Sequence, residues 1–381
     1  MIKILFCGDF APCGKYERLV ERYPNKIFGD ALELIKTADI SFVNLECVLT
    51  DKSNNKIFKK GPNLKASGKC VKALKNFTVV GLANNHILDY GEQGLSDTLL
   101  NCKNNNIQTV GVETNCSDNK RVFYKENRGV IVAIIAVAEK EFNFISDSSA
   151  EVNIVDPIDT SYQIKEAKEK ADVVIVTIHG GNEYFPYPNP QYRKLCRYFV
   201  DLGVNAVICH HPHVPGAHEL YKGAPIFYSL GNFIFDAKQK PEGWDYGYMV
   251  ELCFNKTDCT LSSFKILPYV QSVDNLGVRM LKAAEKNVFL SSVDNLRKIL
   301  ENEKTWLKEW KEFATNKHKY VLIDNYSPIL IRGIGTLGEI LPLHKYFVNR
   351  FNIKSKINIS RCSSHQELLK FALEERFKDY Q

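Results

Sequence analysis

Apolar runs rich in β-branched residues recur along this chain, and most end abruptly in side chains of metal-binding type. The runs cover residues 2–7, 40–44, 78–81, 130–137, 173–178, 206–209 and 225–229. Helical patterns fall between them at 30–36, 94–104, 162–170 and 190–202, and in the first of these Ala31, Leu34 and Ile35 are spaced for one buried face. This alternation predicts an α/β chain with parallel strands covered by helices. Residues 248–254 and 261–270 read as an antiparallel hairpin around Asn255-Lys256-Thr257-Asp258. A sandwich of mixed sheets is therefore expected rather than a single doubly wound sheet.

The polar ends of the runs carry Asp9, Asn44 with Glu46, Asn84-Asn85-His86, His179 with Glu183, His211-Pro212-His213 and Asn232; Ala138-Glu139 is ambiguous. In open α/β sheets ligands gather beyond the carboxyl ends of strands, so residues from position 9 to position 232 can share one crevice. Of nine histidines, His86, His179, His210, His211 and His213 all fall in this set. The donors Asp9, Glu46, Asn85, His179, His211 and His213 mix oxygen with imidazole nitrogen, which suits manganese, iron or zinc. Six donors exceed the need of one tetrahedral ion, whereas two ions roughly 3.5–4 Å apart can share a carboxylate. Glu46, in the middle of the set, is the expected bridge.

An H-x-H at the end of an extended strand sends both rings to one side, so His211 and His213 are expected to face the ions and His210 to face away. Three imidazoles beside an apolar strand would otherwise each need a buried partner. His179 alone would equally suit a solvated or hydrogen-bonded histidine. Asn84 reads as a strand-to-helix cap, Asn85 as a carbonyl donor, and His86, oriented by Asp89, as the acid that protonates a leaving oxygen. Asn44, Asn84, Glu183, His210 and Asn232 form an outer set expected to support the ligands or meet the substrate. Lys59 and Lys60 are secondary candidates for anion contacts, since a lysine pair is more often a solvated surface.

The 381 residues with 45 % apolar content suffice for a large core, and the net charge of +6 is interleaved rather than gathered into a stripe, against nucleic acid as a partner. Eleven cysteines without a C-x-x-C pair read as reduced thiols, with Cys7 and Cys253 as small apolar strand residues. The opening apolar run is too short for a signal peptide and no window is long enough to span a membrane, so a cytoplasmic location is expected. There is no G-x-S-x-G, P-loop or dinucleotide fingerprint. The loops at 184–190 and 236–247 adjoin strand ends and could wall the site. Residues 1–270 form the expected catalytic-type domain and 271–381 a mainly helical extension, helical over 282–316 and, opened by a serine cap, over 363–378. Trp306 and Trp310 lie on one helical face as packing residues. With no acid–histidine cluster, the extension is expected to shape access and carry no ligands. Oligomeric state is not legible.

Read in order, Gly8-Asp9, Asn44-Leu45-Glu46, Leu82-Ala83-Asn84-Asn85-His86 with Asp89-Tyr90-Gly91, His179-Gly180-Gly181-Asn182-Glu183-Tyr184, His210-His211-Pro212-His213-Val214 and Ser229-Leu230-Gly231-Asn232-Phe233 resemble the CapA family, named for poly-γ-glutamate capsule synthesis. The resemblance spans roughly residues 1–270. It implies a calcineurin-like metallophosphoesterase architecture, an α/β/β/α sandwich of two mixed sheets with a binuclear centre. By position it makes Asp9 the first-strand ligand, Glu46 the bridging acid, Asn85 the amide ligand, His86 the catalytic histidine, and His179, His211 and His213 the later ligands. The wider group has D-x-H where this chain has Asp9-Phe10-Ala11, and a bridging aspartate where it has Glu46; CapA-type members share both departures. Unlike membrane-anchored members, the chain starts almost at its first strand, so a cytosolic protein without an anchor is expected.

These readings lead to a metal-dependent hydrolase of a phosphorylated, anionic intermediate of capsule, polysaccharide or other surface-polymer biosynthesis. The alternatives are amide or ligase-type chemistry on a γ-glutamyl or similar polymer, and a non-catalytic polymer-assembly subunit. The substrate is a small molecule or polymer.

Overall fold

The computed structural model describes residues 1–59, 61–114, 121–143, 150–237, 240–274, 277–326, 350 and 352–378. Its spine is the strand Ile2–Ala11, buried at all positions but Lys3, which explains its near-continuous apolar sequence. On one side it pairs in parallel with Ile40–Leu45, followed by Val79–Gly81 and Gln108–Val110, also parallel. On the other side its partner changes halfway. Residues Ile2 to Phe6 pair antiparallel with Tyr246–Phe254, and Asp9 to Ala11 pair in parallel with Asn232–Phe235. Gly8 sits at the handover, where a Cβ would lie 2.0 Å from the carbonyl oxygen of Gly231. Only a residue without a side chain lets the two backbones approach so closely. Asp9 N then donates to Gly231 O at 3.1 Å.

Leu261–Ser272 and Gly277–Met280 extend this first sheet antiparallel beyond Tyr246–Phe254. The second sheet runs in the order His218–Tyr221, Ala224–Phe227, Ala206–His210, Val173–His179, Val130–Ala138 and Val122–Asn127, parallel in the middle and antiparallel at both edges. Both sheets are mixed, as expected. Strand alternation then builds the layers. Val132, Ile134, Ala136 and Ala138 join the core shared with the first sheet, while Ala133, Ile135 and Val137 lie in a second core with Ile164 and Ala167 of helix Pro157–Lys170 and Cys196 and Phe199 of helix Pro190–Asp201. Helices Lys15–Arg22 and Ala31–Thr37 bury Tyr16, Val20, Ala31 and Ile35 in the first core. The architecture is an α/β/β/α sandwich.

Two strands run one residue past their expected ends into the polar clusters. Val173–His179 and Ala206–His210 each include a histidine of the following cluster, because backbone pairing continues while the side chains turn polar. Past residue 270 the chain contributes the edge strand and then helices Ala283–Glu301 and Glu303–Tyr326, two helices broken at Asn302 where one was expected. Trp306 and Trp310 are buried packing residues: Trp306 Nε1 donates to Pro188 O at 2.9 Å, and Trp310 lies 5.8 Å from the ring of Phe185. The 184–190 loop is thus anchored from outside. Trp244, in the expected 236–247 loop, donates from Nε1 to Phe235 O at 3.0 Å and so holds its own end of that segment against the strand Asn232–Phe235.

Helices Ile353–Arg361 and Ser363–Lys378 follow. The expected serine cap is corrected: Ser363 is already helical and Gln366 N donates to Cys362 O at 2.9 Å, so the cap position falls on Cys362, while Ser364 donates its hydroxyl to Glu139, far away in sequence, at 2.7 Å. Among the described residues no helix is long and apolar enough to cross a membrane, and ten cysteines are free thiols. Gly8→Ala should lower stability by about 1–3 kcal/mol or more, the usual range for overpacking, since neither backbone at the Gly231 contact can withdraw. Urea denaturation checks this, and an unchanged midpoint would exclude the close approach.

Candidate metal centre

Strand register brings the polar ends to one level. Asp9 is opposite both Asn44 and Asn232 within the first sheet, and His179 is opposite His210 in the second. Asn44 joins the sheets: its Nδ2 donates to Asp9 Oδ1 at 2.8 Å and lies 3.1 Å from His179 Nδ1. The opposite nitrogen of that ring, Nε2, is 3.0 Å from Asn85 Oδ1 and 3.2 Å from His211 Nδ1. Two ring nitrogens face each other there with at most one proton to share.

Glu46 lies at the centre, fully buried, and neither carboxylate oxygen has a hydrogen-bond partner. Its Oε1 is 3.6 Å from His179 Nε2, 3.6 Å from His213 Nε2 and 3.9 Å from His86 Nε2. These gaps are too long for hydrogen bonds. The two 3.6 Å gaps, to His179 and His213, suit donors around an ion, since two donors each about 2.1 Å from one metal lie roughly 3–3.6 Å apart. Two convergent triplets share this residue, Asp9–Glu46–His213 and Glu46–His179–His211. The donor chemistry and the orphaned carboxylate both fit a pair of divalent ions.

Charge follows the same geometry. Burial, then the neighbouring Asp9 and Glu183, push the Glu46 carboxyl well up. Burial also opposes ionisation of Asp9, but contact with His210, then His179 and His213, outweighs it and holds Asp9 below the usual carboxylate range. Burial lowers His179 strongly and His213 to about 4, so both imidazoles are neutral and able to donate a lone pair.

Some placements differ from the sequence expectation. His211 and His213 converge because both adopt positive φ, 97° and 61°, in a turn after the strand ends at His210, and not by strand alternation. His210 does not face away: it is buried with Nδ1 3.2 Å from Asp9 Oδ1, against the ring of Phe42. Asn232 Oδ1 lies 3.0 Å from His213 Nδ1 and orients that ring. Asn84 ties the turn together, donating to Leu45 O at 2.8 Å and accepting from His86 N at 3.1 Å. Glu183 is exposed; it is a nearby charge on Glu46 and His213 and a hydrogen-bond partner of the Tyr184 side chain.

His86 sits against Asp89, Nδ1 to Oδ2 at 2.6 Å. Asp89 is itself fixed by Leu64 N at 2.6 Å and by an ion pair with Lys59. Lys59 is neither a solvated residue nor poised on an open anion site. Its side chain is buried, with Nζ 3.1 Å from His86 Nδ1 and over the ring of Phe142. Burial first, and then Lys59, lower the pKa of His86 while Asp89 raises it. Lys60 lies outside the described residues.

The sequence analysis did not single out Glu141, and left Glu139 ambiguous. Glu141 Oε2 accepts from Asn85 Nδ2 at 2.8 Å; Glu139 Oε2 accepts from Gly181 N at 3.0 Å. Both follow the strand Val130–Ala138, so the strand-end rule that found the other acids also pointed here. Burial opposes ionisation of Glu141, but His365 and His211 offset it and bring its carboxyl to about 2.

The raised Glu46 carboxyl has a consequence for folding. An acid whose folded pKa is raised contributes stability below its unfolded value near about 4.3, and loses it as pH rises through the folded value. Metal-free Glu46→Gln, which cannot ionise, is therefore expected to melt no lower than metal-free wild type at neutral pH. The advantage should vanish below about pH 4. Thermal melts of chelator-treated protein across pH check this; a variant destabilised equally at every pH would show that the Glu46 charge is not strained.

Comparison with known proteins adds the lineage. Residues 3–237 match the family described as bacterial capsule synthesis protein PGA_cap, a span containing every site residue from Asp9 to Asn232. The PGA biosynthesis protein CapA of Bacillus subtilis (strain 168) is 37% identical over 247 residues, covering 63% of this chain and 63% of that protein. The capsule biosynthesis protein CapA of Bacillus anthracis is 35% identical over 255 residues, covering 62% and 59%. The chain thus spans only about three fifths of the length of these relatives. A probable polyglutamine synthesis accessory protein of Mycobacterium tuberculosis is 28% identical over 58% of this chain and 65% of its own. Among solved structures, a putative 5'-nucleotidase from Staphylococcus aureus aligns with a TM-score of 0.46 at 16% identity, over 79% of this chain and 58% of its own. At that structural distance the assignment rests on sequence, and by sequence this chain belongs to the bacterial capsule synthesis protein family, PGA_cap.

Proposed function

We propose that the chain is a metal-dependent hydrolase of a phosphoester in the biosynthesis of a bacterial surface polymer, with an anionic intermediate as substrate. The observation that carries this reading is the unpartnered, buried Glu46 carboxylate common to two donor triplets, with His86 Nε2 3.9 Å from it. Asp9, Glu46 and His213 would hold one divalent ion, and Glu46, His179 and His211, with the Asn85 amide oxygen, a second. When bound, such ions polarise phosphoryl oxygens and lower the pKa of a coordinated water.

The chain's own groups do the rest. Asp89 Oδ2 accepts the Nδ1 hydrogen of His86, which turns Nε2 toward the centre and stabilises the imidazolium form. Nε2 then delivers its proton to the leaving oxygen. Burial, and then Lys59, which also neutralises Asp89, lower the basicity of the ring, so the imidazolium, once formed, readily surrenders its Nε2 proton. Asn44 and Asn232 keep the His179 and His213 rings from rotating. Trp244 packs against the His213 ring at 5.1 Å.

A second reading is favoured by the names of the relatives, PGA biosynthesis and polyglutamine synthesis accessory protein. In it the same centre acts on the amide carbonyl of a γ-glutamyl polymer. Release of inorganic phosphate from phosphoester substrates, set against appearance of new amine groups from polyglutamate, separates the two.

Glu46→Gln should lower metal occupancy more than loss of any single histidine, because it removes a donor from both triplets. Elemental analysis reads this directly, and full occupancy at both positions would end the shared-ligand assignment. His86→Ala should keep its metals and lose about 10²–10⁴-fold in turnover, the usual worth of general acid catalysis. The defect should shrink on aryl phosphates, whose leaving groups need less protonation. Equal loss on good and poor leaving groups would remove the proton-donor role.

A further inference from the structure

The first turn of the C-terminal helix Ser363–Lys378 is built into the rim of the metal centre. Glu141 divides its two oxygens: Oε2 takes the Asn85 amide, and Oε1 faces outward to His365 Nε2 at 3.4 Å and Cys362 Sγ at 3.7 Å. Cys362 Sγ is also 3.9 Å from Glu139 Oε2. Sulfur, nitrogen and oxygen atoms of Cys362, His365 and Glu141 all lie within 4.8 Å of one another. We infer that Glu141, Cys362 and His365 form a further divalent-cation site, of zinc-like preference, which pins the C-terminal helix to the rim of the centre.

Distances favour the cation over an ordinary contact. Around a tetrahedral zinc with bonds of about 2.3 Å to sulfur and about 2.1 Å to nitrogen or oxygen, nitrogen and oxygen lie roughly 3.4 Å apart and sulfur and oxygen roughly 3.6 Å. The observed gaps match both. An ion pair between His365 and Glu141 would account for the first gap alone. It would leave a thiol with one weak hydrogen between two buried carboxylates.

The His365 ring carries a second, independent sign. Its Nδ1 lies 2.8 Å from Asn358 Nδ2, while Asn358 Oδ1 is buried without a partner. The two ends of an amide are alike in shape. Turned over, Asn358 Oδ1 would accept from Nδ1–H, which satisfies the orphaned oxygen and leaves the Nε2 lone pair facing Glu141 and Cys362. That is the outer-sphere support a metal-bound imidazole normally has. On binding, the Cys362 thiol releases its proton to solvent. The remaining ligand position faces Glu139, which Ser364 and Gly181 already hold in place.

Cobalt(II) titrated into the chelator-stripped full chain tests this, because the Asp9, Glu46, His179, His211 and His213 set contains no sulfur. A thiolate-to-cobalt absorption band in the near ultraviolet is expected in wild type. It should disappear in Cys362→Ser together with one bound ion per chain, weaken at least tenfold in cobalt affinity in His365→Ala, and persist in Glu46→Gln. Absence of the band, or its survival in Cys362→Ser, overturns the site. His365 is partly exposed, so His365→Ala tests the same ligand set with little risk to folding, and unchanged cobalt affinity there also overturns it. Failure of the two-ion centre would show separately, as unchanged total cobalt in Glu46→Gln.

Discussion

A buried carboxylate without a hydrogen-bond partner is the constraint around which this molecule is organised. Glu46 leaves the end of one strand and enters the space between the two sheets, where three imidazoles approach without touching it. An isolated charge there is costly, which is why its carboxyl is pushed up and why a cation is the natural complement. Asp9, a few ångströms away, has the opposite character because His210 contacts it directly. One acid thus stays ionised through its histidine neighbours, and the other waits for a positive partner.

Neutral amides hold this arrangement without adding charge. Asn44 spans from Asp9 to His179, Asn85 from His179 to Glu141, and Asn232 orients His213, each offering both a donor and an acceptor. Lysine or arginine in these places would compete with a cation for the acids. Aspartate would deepen the excess of negative charge. The only buried lysine near the centre, among the described residues, is Lys59, and it is placed behind His86 on Asp89 rather than among the donors.

The C-terminal helices complete the outer layer and reach the centre itself. Phe185, in the loop that follows His179, stacks at 4.4 Å on Phe313, and Trp306 caps the same loop through Pro188. The loop carrying Glu183 and Tyr184 is therefore held from outside. Ser364 reaches further, to Glu139 beside the Gly180–Gly181 turn. Gly180 permits this because a Cβ there would lie 2.7 Å from the Glu139 side chain. Family membership and the helical extension meet at one rim.

Local sequence determined the strands and the kind of chemistry. Alternating and continuous apolar runs specify strands whether or not their partners are known, and an abrupt change to Asp, Asn, Glu or His marks where each strand ends. Asp9, Asn44, Asn85, His179, His211 and His213 were legible in that way. What the sequence could not express is direction in space. His211 and His213 converge through positive φ, which local pattern does not encode, and His210 turns inward because Asp9 awaits it from a strand two hundred residues earlier. Lys59 read as an anion contact or a solvated surface lysine until Asp89 buried it, and Glu141, which the sequence did not single out, gained partners only when Asn85, Cys362 and His365 surrounded it. Side-chain type follows from the gene alone, but protonation, orientation and partnership depend on which distant groups the closed sandwich brings within a few ångströms.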